Sequence, residues 1–248
     1  MSVSVAACES PSDPADPPEI AAVELKAVPA PLVRVLDVRL ARPYGASVDY
    51  WSSTGPRLRM TAGAEQTRQE LVLSRLRPGT TYEYEVRSSG PGGEGPLVHG
   101  SFTTDPLPDG IAVLEFKTEG TPSAPLTLLE TTAHGAGHRG VVIVDAQGEV
   151  VWYWDAGPVA GTARRDNGNF IFHYGGRGVL EVTPTGVVID QVPQQPLPQR
   201  RSHHDAITTP WNTVLFIAYD TREFEGRQVS GEGIWEWNPD TDELTQRW

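Results

Sequence analysis

The sequence predicts an all-β chain in two parts: a small sandwich over residues 31–105, then an incomplete set of about three four-stranded sheets over residues 106–248. Two observations carry this. The 248 residues include 25 glycines and 22 prolines, too many punctuators for a protein of long helices. Short alternating apolar runs recur along the chain, and in its second half they repeat one design. A third observation bounds the function. Twenty Lys and Arg against 32 Asp and Glu give a net charge of −12, the wrong sign for a nucleic-acid binder, which needs a basic face. A hydrophobic content of 38% suffices for a core. No apolar run approaches the ~20 residues of a membrane-spanning helix. The single cysteine excludes a disulfide framework and a Cys-built zinc site.

Residues 1–30 read as a disordered leader or linker. Glu9-Ser10-Pro11-Ser12-Asp13-Pro14-Ala15-Asp16-Pro17-Pro18-Glu19 is acidic and proline-rich, and such a segment cannot bury enough surface to offset its ordering entropy. Just before it, Val5-Ala6-Ala7-Cys8 resembles a bacterial lipobox. The resemblance implies that Cys8 carries a lipid anchor and that the protein is exported, as a periplasmic or outer-surface lipoprotein. The alternative is a free thiol in a disordered tail.

From Leu32 the pattern changes. Residues 32–38, 46–51, 70–73, 81–87 and 99–103 each alternate as half-buried strands do, with turn clusters at Arg42-Pro43-Tyr44-Gly45, Arg77-Pro78-Gly79 and Gly90-Pro91-Gly92-Gly93. Regular short strands with such turns indicate a sandwich. The stretch Leu76-Arg77-Pro78-Gly79-Thr80-Thr81-Tyr82 resembles the E–F corner of fibronectin type III domains, with Tyr82 as the corner tyrosine. No chemistry is expected from this part.

The second half repeats itself. Gly140–Trp152, Gly178–Ile189 and Gly233–Leu244 each hold an apolar strand, a tight polar turn and a second strand. Their intervals of 38 and 55 residues bracket the ~40–50 of propeller blades. Another hairpin precedes each of the last two, one turning at Asp166-Asn167-Gly168 and the other at Thr209-Pro210-Trp211-Asn212. Two hairpins in series make a four-stranded antiparallel sheet, the unit of a β-propeller. Residues 106–248 suffice for about three blades, where closed propellers use four to eight, so a chain truncated at its C-terminus is expected. Trp152 and Trp154, like Trp235 and Trp237, share a face suited to stacking between blades.

Chemical potential concentrates at Arg200-Arg201-Ser202-His203-His204-Asp205, a local basic spot in an acidic chain. In a regular strand only one of His203 and His204 can face a common ligand. For the same reason His203, His204 and Asp205 cannot converge on a metal ion without a bend, so no metal is expected. His173, on an alternating strand, reads as packed, and His134 and His138 as loop residues.

The order of sandwich, Gly-Glu-Val-Val-Trp, Arg-Arg-Asp-Asn-Gly-Asn-Phe, Gly-Val-Leu-Glu-Val-Thr-Pro-Thr-Gly and then His-His-Asp is similar to that of the bacterial arylsulfotransferases, over about residues 31–248. The resemblance implies transfer of a sulfuryl group from an aryl sulfate to a phenol through a sulfated histidine, with no cofactor. It implies His204 as a channel-lining sulfuryl binder and Asp205 as the residue that orients an imidazole or ties down the strand. His203 and Arg201 are the further candidate substrate-binding residues. The nucleophilic histidine is expected on a later blade, beyond Trp248. Expected partners are the two small molecules, the membrane through Cys8, and a second copy in a homodimer. The competing reading is a non-catalytic, surface-anchored binding or adhesion protein.

Overall fold

A computed structural model describes residues 18–132, 138–155, 157, 159–174, 178–193 and 202–248. Among these the chain is nearly all strand, and it divides into two compact units. No helix is long and apolar enough to cross a membrane among the described residues.

The first unit comprises the residues up to Lys26 together with Val35–Leu71 and Thr81–Phe102. Its strands are β1 (Ile20–Ala27), β2 (Arg34–Ser52), β3 (Leu58–Thr61), β4 (Gln66–Leu73), β5 (Thr81–Gly90), β6 (Gly93–Glu94) and β7 (Val98–Thr103). They form one connected sheet in the order β1-β2-β5-β6, with β3 and β4 also paired to β2 and β7 to β5. A strand has only two edges, so β2 changes partners along its length. Its second half, Gly45–Ser52, pairs with β5 and with β3.

Two expectations are corrected here. The cluster Arg42-Pro43-Tyr44-Gly45 is no turn, because β2 runs through it and Pro43 occupies an exposed stretch of the strand. The unstructured leader does not reach Ala30, because Ile20–Ala27 is a strand. Inside this unit the Asp37 side chain is fully buried. Arg68 bonds both its oxygens and Lys26 Nζ reaches Oδ2. These two cations hold the Asp37 carboxyl well below the usual carboxylate range.

The second unit contains residues 27–34, 72–80 and 103–248. A short helix, α1 (Asp109–Ala112), precedes eleven strands. These are β8 (Leu126–Thr132), β9 (Arg139–Asp145), β10 (Val150–Trp154), β11 (Val159–Arg164), β12 (Phe170–Tyr174), β13 (Gly178–Val182), β14 (Val188–Gln191), β15 (Ser202–Thr208), β16 (Val214–Phe224), β17 (Arg227–Asn238) and β18 (Glu243–Gln246). They make three antiparallel sheets, none closed: β10-β9-β8, β11-β12-β13-β14 and β15-β16-β17-β18. Among the described residues the first has three strands where four were expected.

One turn recurs in four of the hairpins. In Asp145–Glu149, Arg165–Asn169, Thr183–Val187 and Thr209–Thr213, the first residue's N–H bonds the last carbonyl. The fourth residue's N–H bonds the first carbonyl. The fourth residue must be left-handed, and it is Gly148, Gly168, Gly186 or Asn212, with φ from +62° to +87°. Glycine and asparagine tolerate that conformation best.

The sheets pack face to face. Between the first two, Val141, Trp152 and Trp154 meet Phe170, Phe172, Leu180 and Val182, with Trp154 stacked on Phe172 at 5.2 Å between centroids. Between the second and third, Ile171 and Val179 meet Phe216, Trp235 and Trp237. An ion pair locks this second interface. Arg165 Nη1 donates to Glu181 Oε2 at 2.7 Å with both side chains 2% exposed, and its Nη2 reaches Asp240 Oδ2 at 2.8 Å. Asn167 and Asn169 donate to the other Glu181 oxygen.

Candidate functional site

The site forms where the first strands of the second and third sheets lie side by side. Gly161 of β11 sits against β15 so closely that a Cβ there would lie 2.3 Å from the Ala206 backbone nitrogen and 2.7 Å from Asp205 Cα. Only glycine permits this approach, and its φ of +60° is also left-handed. Both strands bulge at the contact. The register of β11 shifts between Ala160 and Thr162, and that of β15 between His203 and Ala206.

The bulge in β15 re-aims the candidate residues. His203 pairs with Ile217 and Ala206 with Phe216, leaving His204 and Asp205 between successive pairs. His204 takes φ +59°. The two imidazoles consequently meet edge to face with centroids 4.9 Å apart. The expectation that only one of them can face a common ligand holds for a regular strand, and the strand is irregular at that point. His203 also lies over Tyr219, at 4.4 Å between centroids. Its Nε2 is 3.6 Å from Glu232 Oε1. Its side chain is 15% exposed, and neither ring nitrogen has a hydrogen-bond partner among the described residues. His204 and Asp205 are exposed.

His173 lies behind this strand, and the sequence reading took it as packing alone. It is buried on β12 between Ala160 and Val179. Its ring also hydrogen-bonds the Ser202 backbone. Burial pushes its pKa down, and the neighbouring His203 and His204 push it the same way. Its Nε2 and the Ser202 hydroxyl are buried without partners among the described residues. Unpaired buried polar atoms are uncommon in folded proteins, and here they gather at one strand entry. The only sequence signal for His173 is its place in the apolar alternation Phe170-Ile171-Phe172-His173.

Arg201, Arg200, Cys8 and His134 lie outside the described residues. His138 is buried, with Nδ1 2.7 Å from the Thr131 hydroxyl. No group of three or more His, Cys, Asp or Glu side chains among the described residues is placed to hold a metal ion. Chemically, the bulge offers two imidazoles able to accept or donate hydrogen bonds, one of them beside a tyrosine and a carboxylate.

These features define a β protein of repeated antiparallel sheets with an imidazole pair on a strand bulge. Residues 114–248, more than half of the chain, match the family model described as Arylsulfotransferase (ASST). The chain belongs to the arylsulfotransferase family. No match was found among the curated proteins. Among solved structures, one described as "Myokine structure" is 16% identical, covering 36% of this chain and 99% of that chain with a TM-score of 0.32. A likeness at that level carries no argument.

Proposed function

We propose that the three sheets are consecutive blades of a β-propeller preceded by a fibronectin type III-like sandwich, and that the protein serves sulfuryl transfer from an aryl sulfate to a phenol through a sulfated histidine. Family membership supports the reaction class. The side-by-side first strands β11 and β15 and the recurring turns support the blade arrangement.

The single observation that carries the site assignment is the His203–His204 ring pair on the bulge. A sulfuryl group presents negative oxygens, and negative charge develops on the departing phenoxide. Imidazole N–H groups aimed at either stabilise the transition state. In this reading His204 binds the sulfuryl oxygens, His203 assists, and Arg201 adds a cation from the preceding residues. Asp205 holds the bulge against Gly161 through its backbone. The sulfated histidine is assigned to none of residues 1–248. Cys8 is proposed as the lipid anchor of an exported protein.

The test is nitrophenol release from nitrophenyl sulfate in the presence of a phenol acceptor. His204→Ala should lower the rate at least ~100-fold, the scale of losing one preorganised donor. An unchanged rate removes His204 from the site. The second reading is a non-catalytic, surface-anchored binding or adhesion protein. It predicts saturable binding of the sulfate ester with no nitrophenol released.

A further inference from the structure

The run His203–Asp205 hangs between two fixed points of β15. This strand is the terminal one of its sheet and has ladder bonds to β16 alone. Its other side takes its position from the second sheet. Downstream of the run, Ala206 is buried in the core between the two sheets, and its backbone nitrogen lies against Gly161. Upstream, Ser202 pairs in register with Ala218, and the His173 ring bonds its backbone. The register shift falls between these two points, after His203. The direction of the two imidazoles therefore depends on where both ends are held.

The His173 bond has a definite polarity. Alternation on β12 turns Phe170 and Phe172 toward the first sheet and Ile171 toward the third, and His173 continues the row of Ile171. Nε2 is the ring nitrogen with no partner among the described residues, so the bond to Ser202 is made at Nδ1. Burial keeps the ring neutral at neutral pH, and the Ser202 bond favours the protonated ring. A bond of that kind is one to the carbonyl. The single proton of the neutral ring thus sits on Nδ1 and is donated to the Ser202 carbonyl. Packing alone does not account for an imidazole here. A phenylalanine would extend the row without burying polar atoms, whereas the Nε2 lone pair is buried unsatisfied among the described residues. What the imidazole adds over an apolar ring is the Nδ1–H.

We propose that His173 is a positioning residue of the imidazole site: by holding the Ser202 carbonyl it fixes the upstream end of the bulge and keeps the His203 and His204 rings edge to face. It touches no substrate and acts through the strand that carries the pair. The proposal rests on the assignment of that pair to sulfuryl binding and names the residue that aims it. Where reacting groups must be aligned, a misplacement of about 1 Å costs on the order of 100-fold in rate, so a single lost anchor is enough to matter.

Two substitutions separate the N–H from the ring. His173→Phe keeps a ring and removes the donor. His173→Asn removes the ring and keeps an amide N–H at the place of the Nδ1–H. Both are read on protein whose circular dichroism is unchanged. The first readout is the nuclear Overhauser contact between the ring protons of His203 and His204, whose centroids are 4.9 Å apart. His173→Phe should lose this contact and lower nitrophenol release at least ~10-fold, while His173→Asn should keep the contact and stay within roughly threefold of the unsubstituted rate. Should His173→Phe fail to fold, His173→Gln replaces it, because its amide nitrogen falls at the Nε2 position and leaves the Ser202 carbonyl without a donor. Where His173→Asn does not fold, the variant lacking the donor decides alone. A ring contact and a rate unchanged in that variant overturn the proposal. An equal loss in folded His173→Asn overturns it too, by making the bulk of the ring the cause. If the unsubstituted protein releases no nitrophenol, the sulfuryl-transfer reading fails, and the ring contact by itself decides the positioning role.

Discussion

His204 carries a backbone cost that its position explains. A β-carbon in the left-handed region is unfavourable by about 1–2 kcal/mol, and His204 sits there at φ +59°. Glycine has no such penalty. His204→Gly should therefore unfold at higher denaturant than His204→Ala, by about 1 kcal/mol, while both lose the same ring. Equal midpoints would show that the bulge is unstrained. The His-His-Asp run was visible in the sequence, but the meeting of its rings was not. That geometry depends on which residues of β16 pair with β15 and on Gly161 of β11, both distant in the chain. His173 was missed for a related reason. A histidine in an apolar alternation reads as core, and only the fold shows its bond to the Ser202 backbone.

At the scale of elements, the turns were legible and the ion pair was not. Asn167-Gly168 and Thr185-Gly186 mark hairpins locally, because the left-handed residue is specified where it stands. Glu181, by contrast, alternates as a solvent-facing strand residue would. It is buried because the third sheet covers it and Arg165 meets it there. Glu181→Ala should cost about 3–5 kcal/mol by leaving the buried Arg165 cation with only the solvent-screened Asp240 as counter-charge. Asp240→Ala should cost about 0–1 kcal/mol, because the Asp240 side chain is 65% exposed and its pairing is solvent-screened. Urea unfolding of the two variants checks the contrast, and similar losses would contradict it. The expected turn at Arg42–Gly45 failed through the opposite effect. Local turn residues were overridden by the pairing of β2 on both sides of that point.

Across the whole molecule, buried imidazoles set the response to acid. Burial lowers the pKa of both His138 and His173 below the ordinary value of 6.5. The unfolded chain protonates these rings near pH 6.5, whereas the folded protein resists protonation until lower pH. The unfolded state thus binds more protons below about 6.5, and stability falls as pH drops through that range. Above it these two rings contribute no pH dependence. Asp37 acts in the same sense much lower, its contribution being lost only as pH falls below the ordinary 3.8. The urea midpoint should be level between pH 7 and 8 and decline from about 6.5 to 5. A level midpoint over the whole range would show that neither ring is buried neutral.

The amino-acid sequence by itself determined the all-β class, the repeated hairpins and the run of residues in which the site lies. Glycine, proline, alternation and turn chemistry act over a few neighbouring positions. Only the tertiary structure decided that residues 27–34 and 72–80 pack within the second unit, with Ala30 and Leu32 in its cores. It also decided that the first sheet has three strands among the described residues, that Arg165 and Glu181 are buried together, and that a bulge brings His203 to His204. Each of these depends on which surface covers which strand, and that is set by contacts between residues far apart in the chain.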